Sequence, residues 1–464
     1  MNKSIFFILL ISFLIRLISL NQSLWLDEAT TAKVVQTYSY LHIITKFSPF
    51  DFHPPLYYIM IKFWTSIFGF SEISLRMPSV IFSILAGLVI YKIGSILKNK
   101  TVGFWAAAFF LFNPLIAYYS QEARMYMLAV FLLSTSLLFL IKILQVKSEK
   151  LKVKSFDLIA FNLFYILSFF TFYGSIFFII TMLLILLYKK RYKLFLISLI
   201  FNLLSLIIIS PLLLQQLIHA RESLQIVMNW RQVLGTLTIK NLLLIPLKFS
   251  SGRISFSPKF FYYIISGLWA VVVWFFILKG GLRNKLLFFL LVTPLVLGLL
   301  FSFFSPLLQY FRFLYLIPVM VILLSFGSKT SIIRMIEVTG FIVFTFVYLL
   351  FPQFHREDWK SLAQTLQKTR LVYMIPSSSD PLLYYSPGIS IRDLRTLDGI
   401  ELEKEITVIP YTADIYGFDY KKELLKRGFT YKETKSFRGL WYEIWVRNKN
   451  YAGSFRYSLK TASI

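Results

Sequence analysis

The chain of 464 residues has no cysteine, only four histidines and few charges: Asp, Glu, Lys and Arg together make up 15% of it. The absence of cysteine excludes a disulfide framework, thiolate zinc sites, iron–sulfur clusters and a cysteine nucleophile, and leaves the redox compartment open. Four histidines restrict any metal site. Acids are scarcer than bases, 22 against 49, for a formal net charge of +27. What is abundant is apolar: 57% of residues are hydrophobic and the mean hydropathy is +0.68. Such a composition excludes a string of soluble domains and points to a membrane protein. A basic excess of this size fits nucleic acid, anionic lipid or membrane topology, and its placement decides among them.

Apolar runs near the ~20 residues needed to cross a ~30 Å hydrocarbon core recur at about 4–21, 78–97, 102–119, 125–145, 156–171, 174–188, 194–215, 260–279, 286–304, 310–327 and 333–352. They predict a polytopic α-helical membrane protein of about eleven spans. The run from Ile5 to Leu20 lacks a small-residue cleavage pattern and is expected as the first span, not a cleaved signal. The two short runs flanking Thr171 to Gly174 also admit a re-entrant reading, which would lower the count.

With the N-terminus cytoplasmic, the even-numbered connections collect Lys92, Lys98 and Lys100, then Lys142, Lys147, Lys150, Lys152 and Lys154, then Lys189, Lys190, Arg191 and Lys193, then Lys279, Arg283 and Lys285, then Lys329 and Arg334, against little more than Glu149. This is the positive-inside pattern, so the excess charge marks topology and no nucleic-acid partner is expected. The opposite side carries the loop of about 22–77, the Ser120 to Arg124 turn, the Gln216 to Lys259 segment and the Ser305 to Arg312 turn, where acids and bases mix. The expected location is the plasma membrane, multi-pass, with these connections and the tail extracytoplasmic.

Two domains are expected: a membrane domain over 1–352 and a small extracytoplasmic α/β domain over 353–464. In the second, Trp359 to Gln367 and Tyr420 to Arg427 read as helices, and Leu371 to Ile375, Ile406 to Ile409, Phe429 to Phe437 and Leu440 to Val446 as strands. Its aromatic residues Trp359, Tyr384, Tyr385, Trp441 and Trp445 fit a core better than a sugar-stacking surface.

The first outer loop opens with Trp25-Leu26-Asp27-Glu28, two acids just after a span, where a carboxylate near low dielectric can serve as a general base. The same spacing also fits an N-cap of the following helix. Asp51-Phe52-His53-Pro54-Pro55-Leu56-Tyr57-Tyr58 follows; its prolines predict an extended approach to a helix, with His53 at the mouth, where imidazole and helix amides can meet a phosphate. Arg76-Met77-Pro78-Ser79 stands at the next span, Gln121-Glu122-Ala123-Arg124-Met125-Tyr126 in the tight turn after the third, and Arg312 at the outer end of the tenth. Taken singly, Arg76 and Arg312 read as snorkelling anchors and Glu122 with Arg124 as a local ion pair.

Together these segments resemble the GT-C glycosyltransferases, and within them the bacterial proteins similar to protein O-mannosyltransferases (glycosyltransferase family 39-like) and lipid A aminoarabinose transferases. The likeness is dense over residues 20 to 130; Tyr310 to Pro318, Asp358-Trp359-Lys360 and Leu383-Tyr384-Tyr385 extend it loosely. The resemblance implies transfer of a sugar from a polyprenyl phosphate carrier to a glycan, lipid or protein hydroxyl on the extracytoplasmic face, with inversion. It implies Asp27 as base with Glu28 orienting it or the substrate, and His53, Arg76, Glu122, Arg124, Tyr126 and Arg312 as substrate-binding residues. Two departures stand out: Ala29-Thr30-Thr31 replaces the basic residue that some relatives place after the acidic pair, and Thr171-Phe172-Tyr173 has phenylalanine where many have histidine. A divalent metal therefore has no support in the sequence, and no cofactor or metal ligand is carried over. The reading from another class is a transporter, flippase or non-catalytic binder of lipid-linked saccharides, which calls for repeat symmetry and mid-membrane charges; no internal repeat is evident.

Overall fold

The computed structural model describes residues 3–146, 154–367, 369 and 371–448. The expected loop charges Lys147, Glu149, Lys150 and Lys152 lie outside these residues. Contact density divides the chain into two units: 1–21, 34–221 and 234–355 form the first, and 22–33, 222–233 and 356–464 the second.

The first unit is helical. Among the described residues seven helices are long and apolar enough to cross a membrane, or eight if the bent pair Lys100–Leu111 and Pro114–Ser120 is one span. The apolar runs at 156–171, 174–188 and 286–304 lie on shorter helices, as does the N-terminal helix Lys3–Leu17. The bend of 59° in the broken pair has a local cause: Asn113 accepts the amides of Leu115 and Ile116 on its side-chain oxygen and so starts a new helix at Pro114.

Two expected loops are ordered. The first outer loop is mostly helical, with Leu26–Thr37, Tyr40–His42, a π turn over Ile43–Phe47, a 3₁₀ turn over Ser48–Phe50, and Leu56–Phe68. The next span begins at Glu72, before the expected residue 78, because Ser71 caps it, and Arg76 and Pro78 lie inside it. The Gln216 to Lys259 connection also carries helix: Trp230–Leu234 and Ile239–Ser251, apolar enough together to pass for a span but interrupted at Gly235, whose φ is +101°.

Helix packing uses small residues, as membrane bundles do. Gly280 of Lys259–Arg283 and Gly327 of Ile317–Gly327 face each other so closely that a Cβ on either would collide with a carbonyl oxygen, Leu323 or Phe276 respectively. Arg16, the charge inside the N-terminal helix, is buried and donates to the carbonyls of Ser12 and Leu111 at 3.0 and 2.9 Å. It faces the bundle and does not snorkel.

The second unit contains a five-stranded sheet of order β2-β1-β3-β5-β4, with β1 Leu371–Met374, β2 Ser390–Asp393, β3 Glu405–Val408, β4 Phe429–Phe437 and β5 Leu440–Arg447. β1 pairs in parallel with β2 and β3; β5 pairs antiparallel with β3 and β4. Alternation along β1 puts Val372 and Met374 into a core with Trp359 and Leu382, and Tyr373 into another with Trp445 and Leu424. Trp359 and Trp445 are thus core residues, whereas Trp441 is exposed.

Candidate active site

In the first unit the chain leaves the turn at Ser48–Phe50 in extended conformation at Asp51 and starts a helix at Leu56, directly after the two prolines. The stretch is pinned by Gln216, whose amide donates to the carbonyls of Ser48 and His53 at 2.7 and 3.0 Å, while Tyr173 donates its hydroxyl to the Gln216 oxygen at 2.7 Å. His53 Nδ1 lies 3.2 Å from Asp51 Oδ1. Burial by itself would raise the Asp51 carboxyl; the His53 imidazole, aided by Arg124 and the Tyr58 hydroxyl, outweighs it and holds the group below its usual range. Arg124 Nη1 reaches the Tyr58 hydroxyl at 3.4 Å. Asp51, His53, Tyr58 and Arg124 therefore form one cluster.

A depressed folded-state pKa stabilises above the ordinary Asp value of ~3.9, and that contribution is lost as pH falls through the folded value. Thermal unfolding followed from about pH 7 to about pH 3 should show a steeper acid loss for the wild type than for Asp51→Asn. Parallel curves would contradict the pairing.

Glu122 and Arg124 flank Ala123 in a turn held by Ser79, which donates to the Glu122 carbonyl at 2.7 Å. Glu122 is buried and faces Arg253, whose Nη1 is 3.8 Å from Oε1. The same guanidinium donates to the Tyr118 hydroxyl at 2.5 Å and lies over the Tyr118 ring, 5.0 Å from its centroid. Tyr126 packs edge-on against Tyr119 and Phe311, with centroids 5.1 and 5.7 Å apart. Arg312 donates to the Pro306 carbonyl at 3.2 Å, with its guanidinium 5.9 Å from the Phe311 ring centroid. Tyr118 to Tyr126 is thus a buried polar and aromatic stretch, in which Tyr118 and Glu122 meet Arg253 and Arg124 meets Tyr58.

Arg76 is built differently. It is buried and donates to the Leu20 carbonyl at 2.9 Å, while Gln121 donates to the carbonyls of Arg16 and Ile18 at 2.8 and 2.6 Å. Between them these residues satisfy carbonyls at the end of the first helix that have no helical partner.

Arg253 was not among the residues singled out from sequence. It follows Gly252, which ends Ile239–Ser251 with φ +75°, and a Cβ at Gly252 would press on Pro114 at 2.8 Å. A Gly-terminated helix followed by Arg in a long outer segment was the available signal. Lys248, one turn earlier, is also buried, donating to the Tyr262 hydroxyl at 2.7 Å and the Ile254 carbonyl at 2.9 Å.

In the second unit Asp27 and Glu28 lie in the first turn of Leu26–Thr37. Glu28 reaches back to accept the Trp25 amide at 3.4 Å, the carboxylate half of a capping box, and is buried. The helix-start reading therefore applies to Glu28, whereas Asp27 receives the Thr31 hydroxyl on its backbone carbonyl, at 2.9 Å. Around them, Arg356 covers the Trp25 ring at 3.6 Å and Lys33 pairs with Asp380 at 2.7 Å. The Tyr411 phenol is held well above its usual range by burial, by Glu357 and by Asp27, which places the Asp27 charge within electrostatic reach of that ring. Among the described residues no group of three or more His, Asp or Glu is arranged to hold a metal ion.

Residues 52–214 match the family model described as dolichyl-phosphate-mannose-protein mannosyltransferase. No curated protein matches the chain. Among solved structures, ArnT from Cupriavidus metallidurans in the apo state is similar with a TM-score of 0.60 at 10% identity, over 94% of this chain and 97% of that one. The same protein bound to undecaprenyl phosphate gives 0.60 at 10%, over 95% and 97%. The archaeal oligosaccharyltransferase AglB from Archaeoglobus fulgidus, in complex with an inhibitory peptide and a dolichol-phosphate, gives 0.52 at 12%, over 95% and 74%. At these identities the likeness is one of fold: a GT-C fold with a small C-terminal sheet domain.

Proposed function

We propose that this GT-C chain is a membrane glycosyltransferase that moves a sugar from a polyprenyl phosphate to an acceptor hydroxyl on the extracytoplasmic face, inverting the anomeric carbon. The observation that carries the reading is the buried stretch from Tyr118 to Tyr126, where Arg253 is held by Tyr118 and Glu122 and Arg124 by Tyr58, two cations beside aromatic rings in an apolar helical unit. It lies largely within residues 52–214, the stretch that matches the mannosyltransferase family model. Polyprenyl phosphates bound to ArnT and AglB, proteins of the same fold, support the choice of donor.

In the proposed reaction Asp27 takes the proton of the acceptor hydroxyl as the new bond forms at the anomeric carbon. The bond from that carbon to the phosphate oxygen breaks, and its electron pair leaves with the polyprenyl phosphate. The leaving phosphate monoester gains charge, with a second pKa of ~6, so cations that bind it more strongly after cleavage lower the barrier. Arg124, Arg253 and His53 are assigned that task, and Tyr126 and Arg312 the walls. The single displacement predicts a product anomer opposite to the donor's. Nuclear magnetic resonance of the glycosylated product should show it, and retention would point to a covalent intermediate and remove Asp27 from the role of base.

A further inference from the structure

The strand order of the C-terminal sheet reverses about β1, with β2 on one side of it and β3 on the other. The chain leaves β1, passes through the helix Asp380–Tyr385 to β2 on one side, and returns to β3 on the other, with all three strands parallel. Open parallel sheets present a crevice beyond the carboxyl ends of the strands at such a switch point, and that crevice is where they hold ligands. Here Ser378 after β1 and Thr412 after β3 share a hydrogen bond of 2.7 Å across it.

The helix that follows β1 and the helix that precedes it are both bonded to the segment around Asp27. The carboxylate of Asp380, largely buried, receives Thr30 Oγ1 on Oδ2 at 2.8 Å and Lys33 Nζ on Oδ1 at 2.7 Å. Tyr385 accepts the Leu24 amide at 2.9 Å, and the Lys360 amide donates to Ser23 at 3.2 Å. Thr30 and Lys33 are three residues apart, and Asp27 is three residues before Thr30, so the three occupy neighbouring positions on one helix face. A helix held at its start and again by two donors on one carboxylate has lost rotation about its own axis, and with it the freedom to re-aim Asp27.

We propose that Asp380 is a positioning residue for Asp27, and that the switch-point crevice of the C-terminal sheet serves as the mount of the base. The inference rests on the reading of Asp27 as that base. It gives the domain a part in the reaction and explains Lys33, which is engaged with the sheet and thus does not take the place of the basic residue missing after the acidic pair.

The test uses the full-length protein in detergent and, as probe, the polyprenyl-phosphate-sugar fraction extracted from membranes of the source cells, with release of polyprenyl phosphate as the readout. Asp380→Ala should lower kcat on the order of 10- to 100-fold, the cost of a misplaced reacting group, with the apparent KM for the lipid fraction unchanged. Asp380→Asn, which keeps an acceptor for Thr30 and loses the ion pair, should fall between. The exchanged pair Lys33→Asp with Asp380→Lys should recover kcat above Asp380→Ala. Because the chain has no cysteine, Thr30→Cys with Asp380→Cys supplies a unique pair for a short bis-maleimide, and the cross-linked protein should remain active. Unchanged kcat in Asp380→Ala, or an exchanged pair no better than Asp380→Ala, overturns the proposal. Transfer retained by Asp27→Asn in the same assay overturns the reading of the base instead, so the two failures are distinct.

Discussion

Asp27→Asn should lower sugar transfer by about 10²- to 10⁴-fold, the range a positioned general base contributes, with donor affinity and yield of folded protein little changed. Asparagine has the shape of aspartate and leaves the Thr31 bond to the backbone carbonyl of residue 27 intact, so the change removes the charge and the proton-accepting capacity while keeping the side chain's shape. Glu28→Gln is the internal comparison. Glu28 accepts the Trp25 amide, and glutamine can keep that bond, so the helix start survives and activity should fall far less. A larger loss in Glu28→Gln than in Asp27→Asn would exchange the two assignments. Initial rates of polyprenyl phosphate release, with binding of the donor measured separately, decide the matter.

Arg253→Ala should weaken binding of the lipid phosphate by about 10- to 150-fold, the equivalent of the ~1.5–3 kcal/mol typical of a hydrogen bond to a charged group. The same change removes the cation facing buried Glu122, so Arg253→Ala combined with Glu122→Gln is the control. If the loss reflects only the stranded acid, the second substitution restores binding; if Arg253 meets phosphate, it does not. Arg124→Ala should weaken binding similarly and also remove one of the charges that hold the Asp51 carboxyl down. Affinity for polyprenyl phosphate unchanged in both variants would return the two arginines to purely structural roles.

Much of this architecture was legible in the sequence because it depends on local pattern. The strands at Leu371–Met374 and Glu405–Val408 follow from short apolar runs and those at Phe429–Phe437 and Leu440–Arg447 from strand-like runs rich in aromatic and β-branched residues, and the helix at Leu56 follows from Pro54-Pro55. β2, Ser390–Asp393, was not read, because Ser-Ile-Arg-Asp has a single apolar residue and owes its state to pairing with β1. The first outer loop reads as a connection because its helices, none longer than Leu56–Phe68, are too short to cross a membrane. The main partner of the Asp51 carboxylate, His53, stands two residues on in the same motif, whereas the added Arg124 charge comes from a distant turn and has no local signal. Arg253 and Asp380 were missed for the same reason on a larger scale. Their partners Tyr118 and Lys33 are 135 and 347 residues away, and no local signal carries such distances. Conversely, Arg76 carried a motif position into the sequence reading, and its observed bond to the Leu20 carbonyl gives it a job in joining helices.

The central claim is that the chain breaks the bond between a sugar and a polyprenyl phosphate. The direct measurement is incubation of the purified protein, in detergent and in liposomes, with a labelled polyprenyl-phosphate sugar, following both free polyprenyl phosphate and movement of intact lipid between leaflets. Polyprenyl phosphate should appear in both preparations, slowly with water as acceptor, and should be lost in Asp27→Asn. Intact lipid crossing the bilayer with no cleavage in either preparation would contradict the account and make the protein a transporter.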